Sequence, residues 1–365
     1  MGVKTILYVL FLGLAPGISA ADFPLLVEDS SLKVEIRGRA YSLEALIVKP
    51  GDITGRLPIA LIAHGSPRDP AERPKSRARA LLPQARDLAH RGWLVVAFLR
   101  RGFGASDGPF TEGFTCSVPD FRGALAIAAE DIEAARVAVA KRPDADAARV
   151  LGLGVSVGGA AMLAWAATRP EGLVGIVNLS GGTGSLLPGR NCDEEGLVSA
   201  FASFGAQSRV PTLWLYAEND SFFGPDLVRR LHAAFTREGG AAQLIPFDPV
   251  GKDGHQLSSL FEGRMLWLPA LDRFLRAQGL PTWDPRPLED IANQLNPQGK
   301  SVLAKYLSAP TEKALSISRV KRSVWFWSGT EDPETARRKS LDECERGSGE
   351  RCDLVAQNFS LQGLR

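Results

Sequence analysis

Ser156 lies in Gly154-Val155-Ser156-Val157-Gly158, a G-x-S-x-G spacing. The residues before it, 148–153, form a short apolar run of strand type, and those after it, 159–167, are small and helix-forming. A strand that turns at once into a helix holds the serine between them in a strained pose with its Oγ exposed. The flanking glycines answer a steric need, because a Cβ in so tight a turn would clash. Behind the serine, the helix N-terminus offers N–H groups and partial positive charge to an oxyanion. The chemistry these residues suit is nucleophilic attack on an acyl carbonyl.

A serine hydroxyl needs a base, and a histidine base needs an orienting acid. The chain has four histidines, at 64, 90, 232 and 255. His90 and His232 fall inside helical patterns, and His64 ends an apolar run upstream of the serine. His255 lies in the polar loop Gly251-Lys252-Asp253-Gly254-His255-Gln256, between the last strand-like run and a final helix. It is the expected base. In a serine–acid–histidine chain order the acid falls between the two, just past the buried-strand run 211–217. Asp220 is the expected acid, with Glu218 as the alternative. Asp226 is better placed than Asp220 to cap the helix that follows.

Two backbone N–H groups complete the arrangement, that of Val157 after the nucleophile and that of Ser66 after an earlier strand. The His64 side chain is then structural, bonded to nearby backbone. Phe222 and Phe223, just past the acid, either line an acyl pocket or belong to the core.

These segments resemble the α/β-hydrolase superfamily over residues of roughly 30 to 280. The resemblance is carried by His64-Gly65-Ser66, Arg100-Arg101-Gly102-Phe103-Gly104-Ala105-Ser106-Asp107-Gly108, the elbow at Ser156, Trp214-Leu215-Tyr216-Ala217-Glu218-Asn219-Asp220, and Asp253-Gly254-His255. It looks closest to the dienelactone hydrolase family in a secreted bacterial form with a serine nucleophile. The resemblance implies a Ser156/His255/Asp220 triad and hydrolysis of esters or related acyl bonds. The name-giving members carry cysteine where this chain has serine, so the likeness does not extend to a dienelactone substrate. The Arg-Arg-Gly-Phe-Gly-Ala-Ser segment also occurs in acylaminoacyl and prolyl peptidases of the same fold. A prolyl-type serine peptidase is one rival reading, and an idle hydrolase fold used for binding is another.

The elements needed to position such a site are present in the pattern. Runs 59–63, 94–99, 150–155, 173–179, 212–216 and 243–247 read as buried strands, after two half-exposed strands at 32–36 and 41–48. Helical patterns alternate with them, one starting at Asp120 with apolar residues at steps of three and four. This alternation predicts an α/β-hydrolase fold: a mostly parallel sheet with helices on both faces and the catalytic loops at the strands' carboxyl ends. The long segments 108–119 and 181–210 should rise on that face, the second as a modest cap.

With 365 residues, 45% of them apolar, and a formal charge of +2, composition gives no argument for nucleic acid or an anionic membrane. Residues 1–21 read as a cleaved signal peptide: Lys4, an apolar run too short to span a bilayer, then small residues. This predicts export to the periplasm or beyond, and no membrane span. Outside the cytosol, cysteines pair. Cys344 and Cys352 flank a short polar loop, which favours a local bridge and leaves Cys116 with Cys192.

The catalytic unit is expected over 22–283, a Pro-rich linker over 284–300, and a small α+β Cys-pair module over 301–365. The module's expected role is packing against the hydrolase, with a protein partner as the alternative. A small acyl compound is the expected substrate; no cofactor or metal is called for.

Overall fold

Alternate residues of the central strands face opposite ways into two apolar layers. In the computed structural model, which describes residues 24–51 and 53–362, Ile59, Leu61 and Ala63 enter one layer while Ala60 and Ile62 enter the other. The same period of two runs through Trp214 and Tyr216 against Leu213 and Leu215. A strand buried on both faces reads as an unbroken apolar run, which is why these segments were legible in sequence.

The strands are β1 (Leu25–Ile36), β2 (Arg39–Pro50), β3 (Leu57–Ala63), β4 (Leu94–Phe98), β5 (Ala145–Val155) and β6 (Leu173–Leu179), then a small hairpin of β7 (Ser185–Leu187) and β8 (Arg190–Asn191), and last β9 (Thr212–Ala217) and β10 (Ala242–Phe247). The main sheet has the order β1-β2-β4-β3-β5-β6-β9-β10. From β4 to β10 every neighbouring pair is parallel, and β1 and β2 add antiparallel pairings at one edge. Crossovers are made by α1 (Leu82–Ala89), α2 (Phe121–Ala140), α3 (Val157–Ala167), α4 (Glu194–Gln207) and α5 (Pro225–Arg237), with α6 (Phe261–Ala277) after the last strand. Helices α2 to α5 cover one face, and α1 and α6 cover the other. This is the α/β-hydrolase fold.

The stretch expected to cap the pocket behaves otherwise. Leu197, Ala200, Phe201 and Phe204 are buried in the core, and Phe201 meets the edge of Trp214, so α4 is a sheet-covering crossover helix. From this stretch, residues 182–186 and Cys192 stand beside the pocket.

The C-terminal unit is an antiparallel sheet, β12-β11-β13-β14, built from β11 (Ala314–Ser318), β12 (Ser323–Trp327), β13 (Asp353–Gln357) and β14 (Ser360–Leu361). With it come α7 (Arg286–Glu289), α8 (Pro297–Ser308) and α9 (Pro333–Ser348). Asp332 caps α9 by accepting from Thr335 N–H, with Pro333 in the first turn. Residues 284–300, expected as a linker, are folded instead: Leu288, Ile291 and Leu295 join Trp283, Tyr306 and Val355 in the unit's own core. Pro287 and Pro297 stand in the first turns of α7 and α8, where a proline's missing N–H has no partner to lose. Cys344–Cys352 ties α9 to the start of β13, and Cys116–Cys192 joins the two long loops of the hydrolase unit. The expected signal peptide lies outside the described residues.

The two units meet through buried charge. Asp87 of α1 accepts from Arg264 of α6 and from the N–H and hydroxyl of Thr311, and His90 lies 2.9 Å from Glu312. Arg91 pairs with Asp272 on two bonds. Lys313 is fully buried beside them, donating to the carbonyls of Tyr306 and Ala309.

Candidate active site

Ser156 has φ 54°, ψ −124°, a backbone pose that an L-residue adopts only under compulsion from its surroundings. The compulsion is steric and local. A Cβ on Gly154 would run into the carbonyl of Gly158, and one on Gly158 into the carbonyl of Ala63. The turn therefore closes only with glycine at both places, and it delivers the serine from the end of β5 to the start of α3.

The structure brings Ser156, His255 and Asp220 together from three different loops. Ser156 Oγ is 3.0 Å from His255 Nε2, and His255 Nδ1 is 3.0 and 3.1 Å from the two carboxylate oxygens of Asp220. An ionised carboxylate only accepts, so the ring proton sits on Nδ1 and Nε2 is left to accept from the serine. Asp220 Oδ1 also accepts from the N–H groups of Phe222 and Phe223, which fixes the acid beneath the ring. Glu218, the alternative acid, is exposed.

Asp253 is a residue whose part the sequence did not reveal. It accepts from Ser221 N–H, Ser221 Oγ and the N–H of His255, so it pins the acid loop to the histidine loop. Burial pushes its carboxyl up, but these bonds outweigh burial and hold it below the usual carboxylate range. Asn219 adds a second tie, donating to Val250 O and accepting from Val250 N–H.

Phe222 stacks on the His255 ring, and Phe223 meets its edge at 5.7 Å. Both line the cavity over Ser156, while Phe223 is also part of the core. The other face of Phe222 carries the Arg68 guanidinium, 3.3 Å from the ring centroid. Arg68 also donates to Ser185 Oγ of the β7–β8 hairpin.

Gly65 packs against Ser156; a Cβ there would sit 3.0 Å from Ser156 Cβ. Ser66 and Val157 line the same cavity as Ser156. His64 points away from it. Its Nδ1 donates to Gly65 O, and its Nε2 accepts from Arg100 N–H. Burial, then the nearby Arg100 guanidinium, hold this imidazole well below its ordinary pKa, so it is a neutral structural ring.

The cavity has a volume of about 220 Å³ and is walled by residues 66–68, 112–114, 182–186 and 222–223, with Phe110, Cys116 and Cys192. A larger groove of about 1010 Å³ follows α2 and the end of β1, but none of Ser156, Asp220 and His255 lines it.

A family model described as serine aminopeptidase, S33, matches residues 76–185, a span that includes Ser156 but neither Asp220 nor His255. No curated protein sequence matches the chain. Among solved structures, the esterase Pf2001 of Pyrococcus furiosus is 15% identical, with a TM-score of 0.49, over 69% of this chain and 90% of that one. Est1E from Butyrivibrio proteoclasticus, with ferulic acid bound, is 18% identical, with a TM-score of 0.48, over 68% and 98%. A dienelactone hydrolase-like promiscuous phosphotriesterase, P91, from metagenomic libraries is 17% identical, with a TM-score of 0.45, over 62% and 82%. The likeness to these solved structures carries no argument about substrate.

Proposed function

We propose that this chain, a member of the α/β-hydrolase superfamily, is an exported serine hydrolase that cleaves a carboxylic ester or related acyl bond. The observation that carries this reading is the continuous path from Ser156 Oγ through the His255 ring to the Asp220 carboxylate. Ser156 attacks the acyl carbonyl while His255 Nε2 takes its proton. The same nitrogen then protonates the leaving group, and water, activated in turn by His255, releases the acid from the acyl-enzyme. Asp220 keeps the ring in the productive tautomer and balances the imidazolium. The N–H groups of Val157 and Ser66 receive the oxyanion, each such donor contributing on the order of 3 kcal/mol to the transition state. The two disulfides fit a protein that works in an oxidising compartment.

The matched family description points to a second acyl substrate, the N-terminal residue of a peptide. An aminopeptidase has to hold an ammonium group. Among the described residues the carboxylate lining the cavity is Glu112, which is buried in a pair with Arg100. That pairing favours the ester reading.

Fluorophosphonate labelling of the purified protein tests the proposal. Wild type should label at Ser156 and hydrolyse short para-nitrophenyl esters; S156A should do neither, with kcat/KM lower by several orders of magnitude and an unchanged fold. Ester turnover by S156A within tenfold of wild type would remove the assignment.

A further inference from the structure

Helix α1 contributes nothing to the described walls of the cavity over Ser156, yet one of its side chains grips the loop that carries His255. Gln84 Nε2 donates to Ser258 O at 2.9 Å, a buried bond between residues 174 apart in the chain. The other end of the same amide, Oε1, is buried and makes no hydrogen bond. A buried acceptor left in that state costs stability, and a methionine would fill similar space without it. The glutamine is kept for the bond to Ser258.

That bond closes the histidine loop from its far side. Ahead of His255, Asp253 and Asn219 tie the loop to the acid segment. Beyond it, Gln84 holds Ser258, and Leu257 lies so close to the first turn of α6 that a Cβ on Gly263 would run into its carbonyl. Helix α1 has eight residues, too few to hold a place without tertiary contacts. Asp87, one turn after Gln84, supplies them. Its Oδ2 accepts twice from Arg264 of α6, and its Oδ1 accepts the N–H and the hydroxyl of Thr311 from the C-terminal unit. One buried carboxylate thus joins the helix that carries Gln84, the helix that follows the His255 loop, and the second unit.

We propose that Gln84, Asp87 and Thr311 are positioning residues for His255, and that the C-terminal unit braces the histidine through them. The inference rests on the serine-hydrolase reading, in which His255 Nε2 has to meet Ser156 Oγ. A misplacement of about 1 Å at such a contact costs on the order of 100-fold in rate. Among the described residues, those lining the cavity include none of the three, so a loss at any of them falls on kcat and spares KM.

Kinetics with para-nitrophenyl butyrate on the full chain, well below the melting transition, test this. Q84M should lose about tenfold in kcat, the size of one hydrogen bond, with KM within about twofold of wild type. T311V should lose about threefold, and T311S should restore it. In Q84M/T311V the two losses should not multiply, because both act along one path. V355A opens a cavity in the core of the C-terminal unit; it should lower the melting temperature and leave kcat unchanged. A kcat within about twofold of wild type in folded Q84M and T311V, or a fall in V355A equal to that in T311V, overturns the inference and leaves the hydrolase intact. Should Q84M not fold, T311V against T311S decides. No turnover by wild type, together with no labelling of Ser156, strikes the hydrolase reading itself.

Discussion

The Phe222 ring lies flat on the imidazole of His255, centroids 3.7 Å apart and planes 13° from parallel. Because Phe222 also gives its N–H to Asp220, one residue holds both Asp220 and His255. Stacked ring pairs of this kind contribute about 0.5–1.5 kcal/mol beyond area burial. F222L should therefore lower kcat/KM by roughly 2- to 10-fold, and F222Y should restore most of it. Steady-state kinetics beside circular dichroism checks this; a loss in F222L that F222Y does not recover would argue against the stack.

The carboxylates near the site should separate in a definite order. D220N should lose on the order of 10³–10⁴ in kcat, because an amide in that place stabilises neither the tautomer nor the imidazolium. D253N keeps the triad but weakens the tie between its two loops, so a smaller loss is expected, most visible on heating. E218Q should stay near wild type. If E218Q falls further than D220N, the acid is Glu218.

Each disulfide should answer to a different assay. Cys344–Cys352 closes a short loop and contributes about 2–3 kcal/mol by loop-closure arithmetic; C344S should loosen the C-terminal sheet, seen as new protease cleavage after residue 300. Cys116–Cys192 joins two walls of the cavity, so C116S should raise KM and shorten the half-life of activity on heating more than it changes far-UV dichroism. Peptide mapping without reduction checks the pairing itself, and a cross-link between Cys192 and Cys344 would contradict it.

Lys313 predicts a pH dependence of stability. Burial, then the nearby Arg91 charge, push its ammonium down to about 7 from 10.5. Between those values the unfolded chain binds a proton that the folded chain does not, so stability should rise with pH across that window. Below it both states are protonated and the full cost of burying the charge is present. K313M removes the group, so the wild-type melting temperature should gain on that of K313M between pH 7 and 10. A flat difference across that range would refute it. Asp87 and Asp272, both held below the usual carboxylate range, act in the opposite sense: burial pushes each up, but the guanidinium groups beside them outweigh it, and their contribution is lost as acid protonates them.

What could be read in sequence follows from the range of the interactions. The elbow at Ser156 is specified by neighbours within two residues, and the buried strands announce themselves as apolar runs. The order Ser156, Asp220, His255 was legible because each lies in the loop just past a strand-like run. Asp253 was not, since its partner Ser221 is far away in sequence and nothing in the short polar loop marks the contact. The prolines of 284–300 read as a linker, although Pro287 and Pro297 fall in first turns, where a proline suits a helix start.

The charged seam between the two units bears on how this protein is inherited. Asp87, His90 and Arg91 all come from α1 or the turn after it, a crossover helix that the main sheet needs in any case. Thr311 and Glu312 supply the matching groups from the other side. A chain ended after Trp283 would keep Arg264 on Asp87 and Asp272 on Arg91, but it would take the Thr311 bonds from Asp87 and Glu312 from His90. The C-terminal unit is therefore no interchangeable appendage. A relative lacking it should carry a different residue at the place of His90, whose partner Glu312 would be gone, and His90 and Glu312 should be gained or lost together.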